Sequence, residues 1–104
     1  AMGVNERRRL SFVGHVSVLV ELDAKLELRE DPDVVALGLP EDDAAGDEME
    51  EILIDAAAGA VESIPLKRRK DLDKVSEAVR RAVRGAAFEA WGKKPIATVF
   101  VTRS

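Results

Sequence analysis

Residues 15–22 read His15-Val16-Ser17-Val18-Leu19-Val20-Glu21-Leu22. Val16, Val18, Val20 and Leu22 alternate with His15, Ser17, Leu19 and Glu21, the period of two that marks a strand with one greasier face. A strand of this kind must hide that face under other elements, so the rest of the chain is read for what covers it.

Downstream, Asp23-Ala24-Lys25 suits a tight connection, and Asp31-Pro32-Asp33 breaks any helix before Val34-Val35-Ala36-Leu37-Gly38-Leu39. Residues 25–39 therefore read as a hairpin partner interrupted at the proline. Pro40 to Gly46 is an acidic loop of small residues, and Asp47 with Glu50 three positions on has the spacing of a capping box. In the helix that follows, Met49, Ile52, Leu53, Ala56, Ala57, Ala60, Val61 and Ile64 keep to an i, i+3, i+4 rule. Pro65 ends it. Beyond the basic run Lys67-Arg68-Arg69-Lys70, Asp71 is placed to cap a second helix with the stripe Leu72, Val75, Val79, Ala82, Val83, Ala86 and Ala90, and Gly92 suits its C-terminal stop. Pro95 precedes Ile96-Ala97-Thr98-Val99-Phe100-Val101, a continuous β-prone run expected to be a well-buried final strand. Gly59 and Gly85 sit mid-helix, where glycine is unfavourable by about 1 kcal/mol against alanine, and this predicts a close approach of the two helices.

The order strand, strand, helix, helix, strand predicts an α+β fold. It is a small two-layer sandwich in which a three-stranded mixed sheet carries two α-helices on one face, with the last strand beside the first. The chain has 104 residues, of which 46% are hydrophobic and 35% charged, enough for one domain with one core. Cysteine is absent, which removes disulfides and thiolate chemistry and fits a cytoplasmic setting. No apolar stretch approaches the roughly 20 residues of a membrane span. The net charge of −4 is unevenly spread. Residues 20–62 hold 15 acids against Lys25 and Arg29, a balance of −13, while residues 63–104 stand at +7. Such asymmetry marks either a basic binding face or two segments that attract one another once folded.

Catalytic signatures are missing from the sequence. His15 is the only histidine, no zinc-ligand spacing exists around it, and no nearby pattern supplies a carboxylate to orient it as a general base, so it reads as an ordinary strand residue. Glu41-Asp42-Asp43 and Asp47-Glu48 lack the alternating acids, central glycine and distal glutamate of a calcium loop, and read as a solvated loop. There is neither a G-x-S-x-G elbow nor a glycine-rich phosphate loop. A ligand-sensing regulatory fold of this size would bring four strands, against three here. What remains is a basic set, Lys67, Arg68, Arg69, Lys70, Lys74, Arg81, Arg84, Lys93 and Lys94, as candidate RNA or partner contacts. Lys74, Arg81 and Arg84 share a face within about 80°, at roughly 100° per residue. Glu77 sits in the middle of that face, spaced to pair with Arg81, and no aromatic interrupts the run to stack bases, so a solvated face is the competing reading. Phe88 and Trp91, at the end of the second helix, are read as core residues or as a partner anchor.

Three stretches carry a resemblance. R-R-R-L-S-F-V-G-H-V-S-V-L-V-E-L-D at residues 7–23, D-P-D-V-V-A-L-G-L at 31–39 and A-V-R-R-A-V-R-G-A-A-F-E-A-W-G-K-K-P-I-A-T-V-F-V at 78–101 are similar to the C-terminal domain of bacterial ribonuclease J. The acidic stretch P-E-D-D-A-A-G-D-E-M-E-E-I at 40–52 departs from many members and resembles proteobacterial versions. The resemblance implies a parent enzyme with metallo-β-lactamase and β-CASP domains, a zinc-dependent ribonuclease that degrades RNA from 5′ to 3′ and also cuts internally. The family's metal ligands lie in an H-x-H-x-D-H motif, which this sequence does not contain, so no catalytic, cofactor-binding or metal-ligating residue transfers to it. The implied role is non-catalytic: support for the parent's oligomerisation and activity through contact with the catalytic domains of the same chain and with another copy, with RNA binding as the alternative and no membrane partner. Under this reading Ala1-Met2-Gly3 is a cloning scar, residues 4–9 form a linker segment, and residues 10–104 form a single C-terminal accessory domain.

Overall fold

The alternating stretch becomes strand β1, His15–Leu22, whose Val16, Val18, Val20 and Leu22 are fully buried. The computed structural model of the protein describes residues 14–104, so the expected scar at residues 1–3, the expected linker at 4–9 and residues 10–13 of the expected domain lie outside the described residues. β1 is the centre of a three-stranded sheet in the order β2-β1-β3. β2, Asp33–Leu37, runs antiparallel to it, and β3, Ile96–Arg103, runs parallel. The α+β two-layer sandwich is thus as the sequence predicts, with the last strand beside the first.

Two helices, α1 over Met49–Ser63 and α2 over Leu72–Trp91, cover one face of the sheet. Each contributes one row at i+4 spacing: Met49, Leu53, Ala57 and Val61 from α1, and Val75, Val79, Val83 and Ala87 from α2. Together with the buried side of β1 these rows make a single core. The helices pack on one another, and α1 reaches β2 while α2 lies along β3. The ends of α2 follow the predicted chemistry. Asp71 accepts from the backbone N–H of Lys74 at 3.3 Å, and Gly92 closes the helix at φ 85°, a left-handed conformation open to glycine.

Four local expectations differ. The hairpin partner expected over residues 25–39 is strand only over Asp33–Leu37, because residues 23–28 are folded into a turn. There the Asp23 Oδ1 accepts from the N–H groups of Lys25 and Glu27, and Leu26 takes a φ of 67°. The capping box at Asp47 does not form. Asp43 Oδ1 accepts from the N–H groups of Ala45 and Asp47, so Asp47 is engaged in closing the loop and the helix starts at Met49. The mid-helix glycines do not mark a close approach, since a Cβ built on Gly59 or Gly85 would meet no other atom within 4 Å. Finally, β3 is an edge strand rather than a well-buried one, with Ile96 and Phe100 exposed, because the helices cover only the opposite face.

Candidate functional site

Strand alternation sends every second residue of the sheet away from the helices, and the register lines these residues up across the strands. One row holds Leu37, His15 and Ile96, the next Val35, Ser17 and Thr98, and the next Asp33, Leu19 and Phe100. Leu37 (64%), Phe100 (61%), Val35 (57%) and Ile96 (46%) are the large apolar side chains this face leaves in solvent. At its middle His15 Nε2 and Thr98 Oγ1 share a hydrogen bond of 3.0 Å. The outer face is therefore apolar along β2 and β3, with a satisfied polar pair between them.

The basic set predicted from sequence does not assemble into one patch. Lys67, Arg68, Arg69 and Lys70 lie in a 3-10 turn, Leu66–Lys70, before α2, whereas Lys93 and Lys94 follow its C-terminal end. A helix of 20 residues is about 30 Å long, which separates the two groups. Lys67, Arg68, Lys70 and Lys74 are exposed. Arg69 is buried at 8% exposure: its Nε donates to the Ile64 carbonyl at 2.8 Å, Nη1 to that of Leu26 at 3.0 Å, and Nη2 to that of Glu62 at 3.4 Å. Two of these carbonyls close the C-terminus of α1, the negative end of its dipole, so Arg69 is a helix cap and leaves the solvent-facing set.

Along α2, Glu77 meets Arg81 at 3.4 Å as its spacing predicts, but its closer partner is Arg80, with Nη2 2.8 Å from Oε1 and Nε 3.1 Å from Oε2. These bonds from Arg80, joined by Arg81, hold the Glu77 carboxyl below its ordinary range and raise the guanidinium of Arg80 in turn. Arg84 Nε donates to the Pro95 carbonyl at 3.1 Å. Lys94 Nζ lies 5.6 Å from the ring centre of Phe88, and Lys93 Nζ 5.2 Å from that of Trp91. Aromatic rings therefore do lie among these cations. Trp91 packs partly against the core, while Phe88 is half exposed. Arg80, which the sequence reading omitted, joins this group; its i+4 spacing to both Ser76 and Arg84 is the signal that could have found it.

On the opposite side a concavity of about 380 Å³ lies between the end of β2 and the start of α1, with Met49 in its lining and Glu41, Asp42, Glu48 and Glu50 around it. Among the described residues no three His, Cys, Asp or Glu side chains converge as metal ligands, and no helix is long and apolar enough to cross a membrane.

Comparison with known proteins places these surfaces in context. The family model for the ribonuclease J C-terminal domain matches residues 2–104. Ribonuclease J of Sinorhizobium meliloti is 59% identical over 102 residues, which is 98% of this chain and 18% of the length of that relative. The chain thus spans under a fifth of the curated protein it matches.

Proposed function

Because the chain belongs to the ribonuclease J C-terminal domain family, we propose that it is the non-catalytic accessory domain of a cytoplasmic ribonuclease. In this reading its outer sheet face mates with a second copy and so supports the assembly and activity of the parent. RNA cleavage, 5′ to 3′ and internal, and the zinc that serves it belong to the parent's catalytic domains. The observation that carries the assembly role is the exposure of Val35 and Leu37 on β2 and of Ile96 and Phe100 on β3, on a sheet that the helices cover from one side only. A sheet face with this much apolar surface in solvent is the kind that partners bury. A two-fold axis through the face would set each apolar rim on the other, with Asp33 at the border of the contact.

The test is the mass of the 104-residue chain by light scattering across a concentration series, together with capture of the parent's catalytic part. A dimer that Leu37→Lys plus Phe100→Lys converts to a monomer that still unfolds cooperatively is the expected result. A strict monomer that also ignores the catalytic part would overturn the reading.

A further inference from the structure

We propose that the margin where α2 runs along β3 is a single-strand RNA contact, with Arg80, Arg84 and Lys94 meeting phosphates and Phe88 offering its ring to a base. The inference rests on the chain's membership of a ribonuclease family and not on docking through the outer sheet face.

Ser76, Arg80, Arg84 and Phe88 follow one another at i+4 spacing, which sets them in one row on the helix surface. Two of them fix where that row lies. Ser76 Oγ donates to the Val99 carbonyl at 3.3 Å and Arg84 Nε to that of Pro95 at 3.1 Å, so the row tracks β3. Arg80 sits between these two anchors, and Phe88 ends the line under the ammonium of Lys94. Backbone donors of β3 border the same line. The N–H of Ile96 bonds the Gly14 carbonyl and that of Ser104 bonds the Leu22 carbonyl. The backbone of the even-numbered residues therefore faces β1, and that of Ala97, Val99, Val101 and Arg103 points off the sheet. Guanidinium groups beside outward backbone N–H groups are the usual contacts of a phosphate chain, and a half-exposed ring flanked by cations is the usual platform for a base.

Charge selects the occupant. α2 and β3 belong to the half of the sequence at +7, whereas α1 and β2 belong to the half at −13, and α1 lies on the β2 side. A polyanion is drawn to the basic half, at the β3 margin or at the Lys67, Arg68 and Lys70 end of α2, and is repelled by the α1 and β2 side; the aromatic ring of Phe88 lies at the margin. Glu77 offsets part of this, but one carboxylate stands among Arg80, Arg81, Arg84 and Lys94. Pairing of β3 with β3 of a second copy would bring two such basic margins together. An acidic peptide strand fits the charge but has no use for the exposed face of Phe88.

The experiment is fluorescence anisotropy of a labelled single-stranded oligouridylate titrated with the chain over a salt series. Binding whose logarithm falls with log salt at a slope of about −2 is expected, from about −0.7 for each of three phosphates. Lys94→Gln, at an exposed position, and Arg80→Gln are each expected to flatten that slope by about 0.7, and Phe88→Ala to weaken binding five-fold or more. Lys67→Gln plus Lys70→Gln, at the far end of α2, leaves it unchanged. Dimer mass is expected to survive every one of these changes, so a failure here and a failure of the sheet-face reading are told apart. No binding at the lowest salt, equal weakening by the Lys67 and Lys70 pair, or displacement of the RNA by an equimolar oligoglutamate would each overturn the proposal, the last in favour of a protein partner.

Discussion

Arg69 Nη1 donates to the carbonyl oxygen of Leu26 at 3.0 Å and so ties the turn before α2 to the turn after β1, 43 residues earlier in the chain. The same guanidinium caps the last carbonyls of α1, and it is the buried charged residue among those described. Leu26 itself is buried with a φ of 67°, a conformation that leucine adopts at an expense of about 1–2 kcal/mol, and its buried side chain and engaged carbonyl hold it there. Replacing Arg69 by methionine keeps the stem and strips three carbonyls of their donor. The expected loss is about 3 kcal/mol, and Arg69→Lys, which cannot span all three acceptors, falls between. Urea denaturation reads this directly; a change below about 0.5 kcal/mol for Arg69→Met would show that the carbonyls find water instead.

The glycines separate by sign. A Cβ on Gly59 or Gly85 meets nothing within 4 Å, and both sit in helices, so alanine at either is expected to stabilise by about 1 kcal/mol, raising the melting temperature by about 4–8 °C. Gly92 is equally open in space but holds a φ of 85°, so the same substitution there costs about 1 kcal/mol. Gly14 combines a φ of 70° with a Cβ position only 2.6 Å from Leu39 Cδ1, and alanine there is expected to be the most damaging of the four. Four thermal melts test the ordering, and destabilisation by Gly85→Ala would restore the close helix approach that its sequence position suggests.

What was legible in the sequence had a period or a local chemical rule behind it. The alternation of β1, the stripe of α2, the cap at Asp71, the stop at Gly92 and the placing of the last strand beside the first are of this kind. What was not legible depended on direction in three dimensions. Lys67, Arg68, Arg69 and Lys70 look alike in a row, and only the path of the 3-10 turn aims Arg69 inward. Arg80 and Phe88 form one line along β3 only because α2 presents that flank to the strand. The burial of β3 was overestimated for a related reason: its apolar composition is shared between the core, through Val99 and Val101, and the open face, through Ile96 and Phe100.

Val34 and Val35 are neighbours of identical chemistry on opposite faces of β2. Val34 pairs with Val18 and packs against the core, whereas Val35 pairs with Ser17 and is 57% exposed. A lysine at Val34 would press an ammonium toward the apolar core between the sheet and α1, at an expected expense of about 2–4 kcal/mol. In the single chain a lysine at Val35 stands in water, and at concentrations below those of self-association it is expected to stay within about 0.5 kcal/mol of the parent chain. Because side chains alternate with a period of two, a slip of β2 by one residue against β1 would exchange the two environments. Equilibrium unfolding of Val34→Lys and Val35→Lys therefore measures the register itself: the predicted order supports the pairing of Val34 with Val18, and the reverse order would require β2 to be rebuilt one residue along, moving Leu37 and Val35 off the face proposed for docking.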